Sequence, residues 1–234
     1  MTALVLLPGM DGTGDLFAPL LLALPTDITP LVIRYPRDRA LDYAALEILV
    51  RQALPAGAPF VLLAESFSGP LGAAIAARPP EGMRGLILCG SFVRPPRPRL
   101  AFTRALAGWL PPALLPRPLL NHVLLGGHAT PALRAALGAA VSSVSAAAMQ
   151  ARLKAVMETD MSARFAGVRL PVLYLRGRDD RVVPRSASET VAALAPNTQI
   201  VELPAPHCIL QAVPRDAAQA IAAFMKALEP AAQA

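Results

Sequence analysis

The chain has 234 residues, 54% hydrophobic and 16% charged, with a formal net charge of +6. That is enough chain for one large α/β domain with a substantial core, and too apolar for a disordered protein. Mean hydropathy is high at +0.46, yet no charge-free stretch supplies the roughly 18 apolar residues of a spanning helix, which argues against stable membrane insertion.

Met1-Thr2-Ala3 runs straight into strand-like Leu4-Val5-Leu6-Leu7, with no basic segment or cleavage site ahead of it. The expectation is a cytoplasmic protein without a signal peptide. The basic charge does not read as a nucleic-acid surface. The arginines are scattered, aromatics are 5%, and the densest basic stretch, Arg94 to Arg99, is broken by prolines. It reads as a solvated surface, or as a basic rim that draws in an anionic or carrier-bound substrate. Cys89 and Cys208, the only cysteines, make neither a disulfide scaffold nor a metal set, and both read as core thiols. The sequence carries no signal for oligomeric state.

Ala3 to Leu7 reads as a buried strand, and Asp15 as the cap of a helix that continues through Leu24. Leu31 to Ile33 predicts a second strand. Tyr43 to Leu54 predicts an amphipathic helix with Leu46, Leu49, Val50 and Leu54 on one face. Phe60 to Ala64 is a third strand, followed at once by a helix of small residues from Phe67 to Ala77. Gly85 to Cys89 is a fourth. Apolar strands alternating with helices imply a parallel sheet covered on both faces.

From about Arg94 to Gly167 the strand pattern stops and prolines cluster. The helix-like pieces there are Leu100 to Leu110, Leu114 to Leu125, and one Ala-rich stretch from Pro131 to about Met157. The segment 94–167 therefore reads as a helical cap inserted into a core formed by 1–93 and 168–234. Strands resume at Val172 to Leu175 and Gln199 to Leu203, separated by a helix from Arg185 to Leu194. A last helix runs from Arg215 to Leu228.

Four segments just beyond strand ends carry the chemistry. Ser66 sits where an apolar strand gives way to a helix, with small residues at Ala64 and Ser68. This is the pattern of a nucleophile elbow with alanine and serine in place of the usual glycines; a helix N-cap is the bland alternative. After the first strand comes Leu7-Pro8-Gly9-Met10-Asp11-Gly12-Thr13-Gly14, a loop whose Met10 N–H, with that of Phe67, could stabilise an oxyanion. Phe17 at the third-glycine position makes a nucleotide loop a poor reading. After the fifth strand, Asp179 and Asp180 compete as the acid that orients a histidine; an Asp-rich turn is the alternative for both. After the sixth, His207 is the candidate general base. The other histidines, His122 and His128, precede that acid and do not share a helix face.

Taken together, Leu-Pro-Gly-Met-Asp-Gly, Ala-Glu-Ser-Phe-Ser-Gly, Gly-Arg-Asp-Asp-Arg-Val-Val-Pro and Ala-Pro-His-Cys resemble the α/β-hydrolase family over essentially the whole chain. The likeness is greatest to small bacterial carboxylesterases with a helical cap. The resemblance implies Ser66 as nucleophile, His207 as base, Asp180 as orienting acid, and Met10 and Phe67 as oxyanion donors. It implies a mostly parallel six-stranded sheet that lacks the family's leading hairpin, with the second strand beside the first and the third to sixth following on its other side. Pro8-Gly9 departs from the family's usual His-Gly.

The resulting expectation is a carboxylesterase acting on a small-molecule ester with a short-to-medium acyl chain through an acyl-enzyme on Ser66. No metal or organic cofactor is implied. Thioesterase, acyltransferase and carbon–carbon hydrolase chemistry use the same triad, and a binding protein of the same fold is the non-enzyme rival. In the cap, Trp109, Leu124, Met149 and Leu153, with Phe102, Leu110, Leu114 and Met157, read as the wall of an acyl pocket or as cap-to-core packing.

Overall fold

The computed structural model describes residues 2–96 and 116–229. Its sheet is built from runs that are apolar on both faces: β1 (Ala3–Leu7), β3 (Phe60–Glu65), β4 (Met83–Cys89) and β5 (Val172–Gly177) are almost wholly buried. Two more exposed strands, β2 (Thr29–Val32) and β6 (Thr198–Leu203), form the edges. The order is β2-β1-β3-β4-β5-β6, and every neighbouring pair is parallel. This is the strand order that the family resemblance implied.

Helices cover both faces, as continuous apolar strands require. Leu46 and Val50 of α2 (Tyr43–Ala53) pack on one face with Leu71 and Ile75 of α3 (Gly69–Ala77). Leu20 of α1 (Ala18–Ala23) packs on the other, with Ile221 and Phe224 of a long C-terminal helix (Pro214–Ala227). The elbow is crowded as its small residues suggest: a Cβ added to Gly72 would lie 2.8 Å from the Ala64 Cβ. Chain direction across the sheet reverses between β1 and β3, so the loops that follow these two strands face one crevice, where open α/β sheets bind ligands.

Between β4 and β5 the described residues form α4 (Arg117–Leu125), α5 (Pro131–Ser142), α6 (Ala146–Glu158) and the short α7 (Ser162–Phe165). After β5 come α8 (Arg185–Leu194), a short α9 (Ile209–Ala212) and α10, the C-terminal helix. Among the described residues no single helix is long and apolar enough to cross a membrane.

Two sequence expectations are corrected. Asp15 does not cap a helix through Leu24. A 3-10 turn (Asp15–Phe17) precedes α1, its cap is Gly14, and the Asp15 carboxylate is drawn away by Arg34 and Arg37. The stretch Pro131 to Met157 is two helices, bent by 97°. Ser145 causes the break: its hydroxyl caps α6 by accepting from Ala148 N–H, while its own N–H is committed to the Arg37 carbonyl. Helices α7 and α9 were too short for a periodic signal. The expected helix Leu100 to Leu110 lies outside the described residues.

Candidate active site

β3 delivers Ser66 at its end, and the chain must turn sharply into α3. Ser66 takes φ 48°, the only positive φ among the described non-glycine residues, a conformation that costs a residue with a Cβ. Its neighbours hold the turn in place. The Ser91 hydroxyl donates to the Ser66 carbonyl, and Tyr43 Oη donates to the Phe67 carbonyl at 2.7 Å. The Tyr43 and Phe67 rings stack at 4.9 Å. Ser68 Oγ donates to the Pro8 carbonyl, so the Tyr35 hydroxyl, 2.6 Å away, is the donor to Ser68. Burial pushes the Tyr35 hydroxyl well above the usual tyrosine range, which keeps it protonated in that role.

The loops after β5 and β6 meet Ser66 from the other side. Arg178 N–H and Asp179 N–H bond to the Leu203 and Ala205 carbonyls, tying the acidic turn to the segment that carries His207. His207 Nε2 lies 2.8 Å from Ser66 Oγ, and His207 Nδ1 lies 2.9 Å from Asp180 Oδ2. Asp180 Oδ1 accepts from the N–H groups of Val182 and Val183 at 2.8 and 2.9 Å. Because the Asp180 carboxylate accepts, it fixes the proton on Nδ1 and leaves the Nε2 lone pair for the serine hydroxyl. The His207 and Asp180 side chains are 6% and 4% exposed, which strengthens their interaction by keeping out water. Asp179, the competing acid, is exposed. His128 lies with Asp179, Asp180, Arg178 and Arg181 around a cavity of about 390 Å³, and His122 meets Arg181.

The loop after β1 closes against the nucleophile. A Cβ on Gly9 would come within 3.9 Å of the Ser66 Cβ, so the residue before Met10 passes beside Ser66. Phe67 follows Ser66 itself.

Of the residues expected to line an acyl pocket, Leu124 is half-buried and packs in a small cluster with Leu125, Leu137 and Cys208, and its carbonyl accepts from Cys208 N–H at 3.0 Å. On α6, Met149 is buried and Leu153 half-buried. Trp109, Phe102, Leu110 and Leu114 lie outside the described residues.

Sequence reasoning passed over two groups here. Glu65, directly before Ser66, is buried, with Oε1 accepting from Gln211 Nε2 at 2.9 Å. Burial raises its pKa to about 7, against the bonds from Gln211 and from the Gly9 backbone. Arg152 of α6 is buried as well. A charge flanked by apolar or small residues was the only hint of either. Cys89 and Cys208 are buried, and desolvation pushes both thiols up, so neither is a reactive thiolate.

Residues 38–205 match the family model described as serine aminopeptidase, S33. No curated protein matches the chain. Among solved structures, an esterase from Thermogutta terrifontis is 18% identical with a TM-score of 0.83, covering 98% of this chain and 91% of that one. The enol-lactonase from Burkholderia xenovorans LB400 is 18% identical with a TM-score of 0.76, covering 97% and 92%. A bromoperoxidase from Bacillus anthracis is 14% identical with a TM-score of 0.77, covering 96% and 92%. At these identities the likeness shows the fold.

Proposed function

The chain belongs to the serine aminopeptidase, S33, family of α/β hydrolases, and from that premise we propose that it cleaves carboxylic esters through an acyl-enzyme on Ser66. The observation that carries the reading is the relay from Ser66 Oγ to His207 Nε2 and from His207 Nδ1 to Asp180.

Ser66 Oγ attacks the ester carbonyl carbon while its proton passes to His207 Nε2. The imidazolium is stabilised by the Asp180 carboxylate. The carbonyl oxygen, now carrying the negative charge, accepts from the Met10 and Phe67 N–H groups, which lose no reorganisation energy because the loop and the elbow already hold them. Collapse expels the alcohol, which takes the proton from His207. Water then gives a proton to His207 and attacks the acyl-enzyme, and the second tetrahedral intermediate releases the acid and restores Ser66.

The segment 94–167 is proposed as the cap over this crevice, with Met149 and Leu153 on its inner helix as acyl-facing side chains. A short-to-medium acyl chain suits a cap whose described helices run to 13 residues at most. The arginines beside Asp180 and the net charge of +6 favour an anionic or carrier-bound ester among such substrates.

A fluorophosphonate probe tests the chemistry: it should label wild type and leave Ser66→Ala unlabelled. p-Nitrophenyl esters of graded acyl length, run beside acyl-CoA thioesters and aminoacyl p-nitroanilides, test the class. Fastest turnover is expected with short or medium esters. Fastest turnover of a thioester or an anilide would replace the esterase reading, and a folded wild type that takes no probe would sink it.

A further inference from the structure

Helix α6 sends one charged side chain inward. Lys154 and Glu158 on the same helix are exposed, whereas Arg152 is 2% exposed. Its Nη1 donates to the carbonyls of Met10 and Asp11 at 2.9 and 2.8 Å, and its Nη2 to the Pro36 carbonyl at 2.8 Å. The guanidinium carbon lies 5.9 Å from the centroid of the Tyr35 ring. All three hydrogen bonds go to backbone carbonyls. A buried cation is costly unless its donors are satisfied, and a planar fork of fixed N–H groups can bridge several carbonyls where an ammonium cannot.

What Arg152 grips is the loop that carries the Met10 N–H. This loop turns through Gly12 and Gly14 at φ 66° and 72°, and its own bonds, from Gly12 N–H to the Gly9 carbonyl and from Thr13 to the Asp11 carboxylate, leave the Met10 and Asp11 carbonyls to Arg152. The guanidinium lies against Gly12 so closely that a Cβ there would sit 2.7 Å from Nη1. Below, the loop is held by Ser68 on the Pro8 carbonyl and by Glu65 at the Gly9 backbone. Arg34 holds the far end of the loop at the Thr13 carbonyl, while Arg152 takes the Met10 and Asp11 carbonyls, and the segment that carries α6 is itself seated before and after the helix. Ser145 N–H donates to the Arg37 carbonyl and Met161 N–H to the Val93 carbonyl, each at 2.8 Å.

Resting on the serine-hydrolase reading above, we propose that Arg152 is a positioning residue that, by holding the Met10 and Asp11 carbonyls, keeps the Met10 N–H aimed at Ser66 and makes transition-state stabilisation depend on the seating of α6. The Met10 N–H and carbonyl flank a single Cα, and the peptide planes on either side are rigid, so fixing the carbonyls of Met10 and Asp11 restricts the direction of the N–H. A preorganised donor of this kind is worth about 100- to 1,000-fold in kcat when removed outright. Releasing its tether should cost less than that, and should cost it in the transition state.

The test compares wild type, Arg152→Met and Arg152→Lys on a p-nitrophenyl ester, with melting temperature, fluorophosphonate labelling and inhibition by a trifluoromethyl ketone measured in parallel. For Arg152→Met we expect kcat to fall about 30-fold with KM within about twofold, and the ketone, which mimics the tetrahedral oxyanion, to bind weaker by a similar factor. Arg152→Lys, which keeps the charge but not the fork, should recover part of kcat. If the Met variant does not fold, the Lys variant carries the test with a loss of about fivefold in kcat at unchanged KM. Folded variants with wild-type kcat, or a loss confined to KM, would overturn the assignment. A wild type that takes no probe and turns over no ester overturns the hydrolase reading with it. A labelled, active wild type beside an equally active Arg152→Met overturns this assignment alone.

Discussion

The Ser91 hydroxyl donates a hydrogen bond to the carbonyl of Ser66, joining the end of β4 to the strained turn after β3. The Ser91 carbonyl in turn accepts from the buried Tyr174 hydroxyl of β5. The turn that presents the proposed nucleophile is therefore anchored in two neighbouring strands. Ser91→Ala should lower stability by about 1 kcal/mol, the net worth of a buried hydrogen bond. It should also lower kcat severalfold, because the Ser66 peptide is freer to rotate. Denaturant melts beside steady-state kinetics check both, and unchanged values in each would mean that the bond does not tension the turn.

Replacing Ser66 itself separates strain from chemistry. At φ 48° a glycine is relaxed where serine is not. Ser66→Gly should abolish ester hydrolysis yet be more stable than Ser66→Ala by about 1 kcal/mol. Equal melting temperatures for the two variants would show that the turn stores no strain.

The two adjacent aspartates should behave unequally. In Asp180→Asn the amide oxygen can still accept from Val182 and Val183, but the amide N–H₂ then faces His207 Nδ1. The imidazole must move its proton to Nε2, where it can no longer accept from Ser66. A fall in kcat of about 1,000- to 10,000-fold is expected. Asp179→Asn, at an exposed position, should stay within severalfold of wild type. Kinetics of the two single variants decide between them.

Glu65 makes stability depend on pH. Its folded pKa is raised from 4.5 to about 7, first by burial, with Asp11 adding to the effect. An acid raised in this way stays protonated in the native state while the unfolded chain ionises. Stability is therefore highest below about pH 4.5 as far as this group is concerned. It declines as pH rises to about 7 and stays lowered above that. The shift corresponds to a cost on the order of 3 kcal/mol at high pH. Glu65→Gln, neutral throughout, should flatten that part of the profile and be the more stable protein at pH 8. Parallel pH profiles for the two proteins would rule out Glu65 as the source.

The basic rim gives a prediction about substrates. If the arginines near Asp180 attract anionic esters, kcat/KM for a charged ester should fall steeply with added salt while that for a neutral ester of the same length holds constant. Identical salt dependence for both would leave the net charge of +6 as a solubility feature.

The sequence by itself determined the strands and the points where chemistry could sit, while the order of the strands was what the family resemblance implied. Strand runs and turns are written in neighbouring residues, and periodicity reads them. Ser66, His207 and the Asp179–Asp180 pair stood out because each closes an apolar strand. What the sequence left open lay at long range. The Ser66–His207 bond spans 141 residues, and Arg152 reaches Met10 across 142; no local pattern encodes a contact at such a separation. Only the tertiary structure brought the carboxylate of Asp180, with that of Asp179 exposed, to the imidazole. It also turned a small-residue elbow into a serine at φ 48° and buried Glu65 behind it. Ser145 shows the same limit on a smaller scale: an Ala-rich run reads as one helix until the Arg37 carbonyl takes the N–H that would have continued it. Local propensity sets which elements form, and the competition for a few buried polar groups decides how they end and which side chains meet.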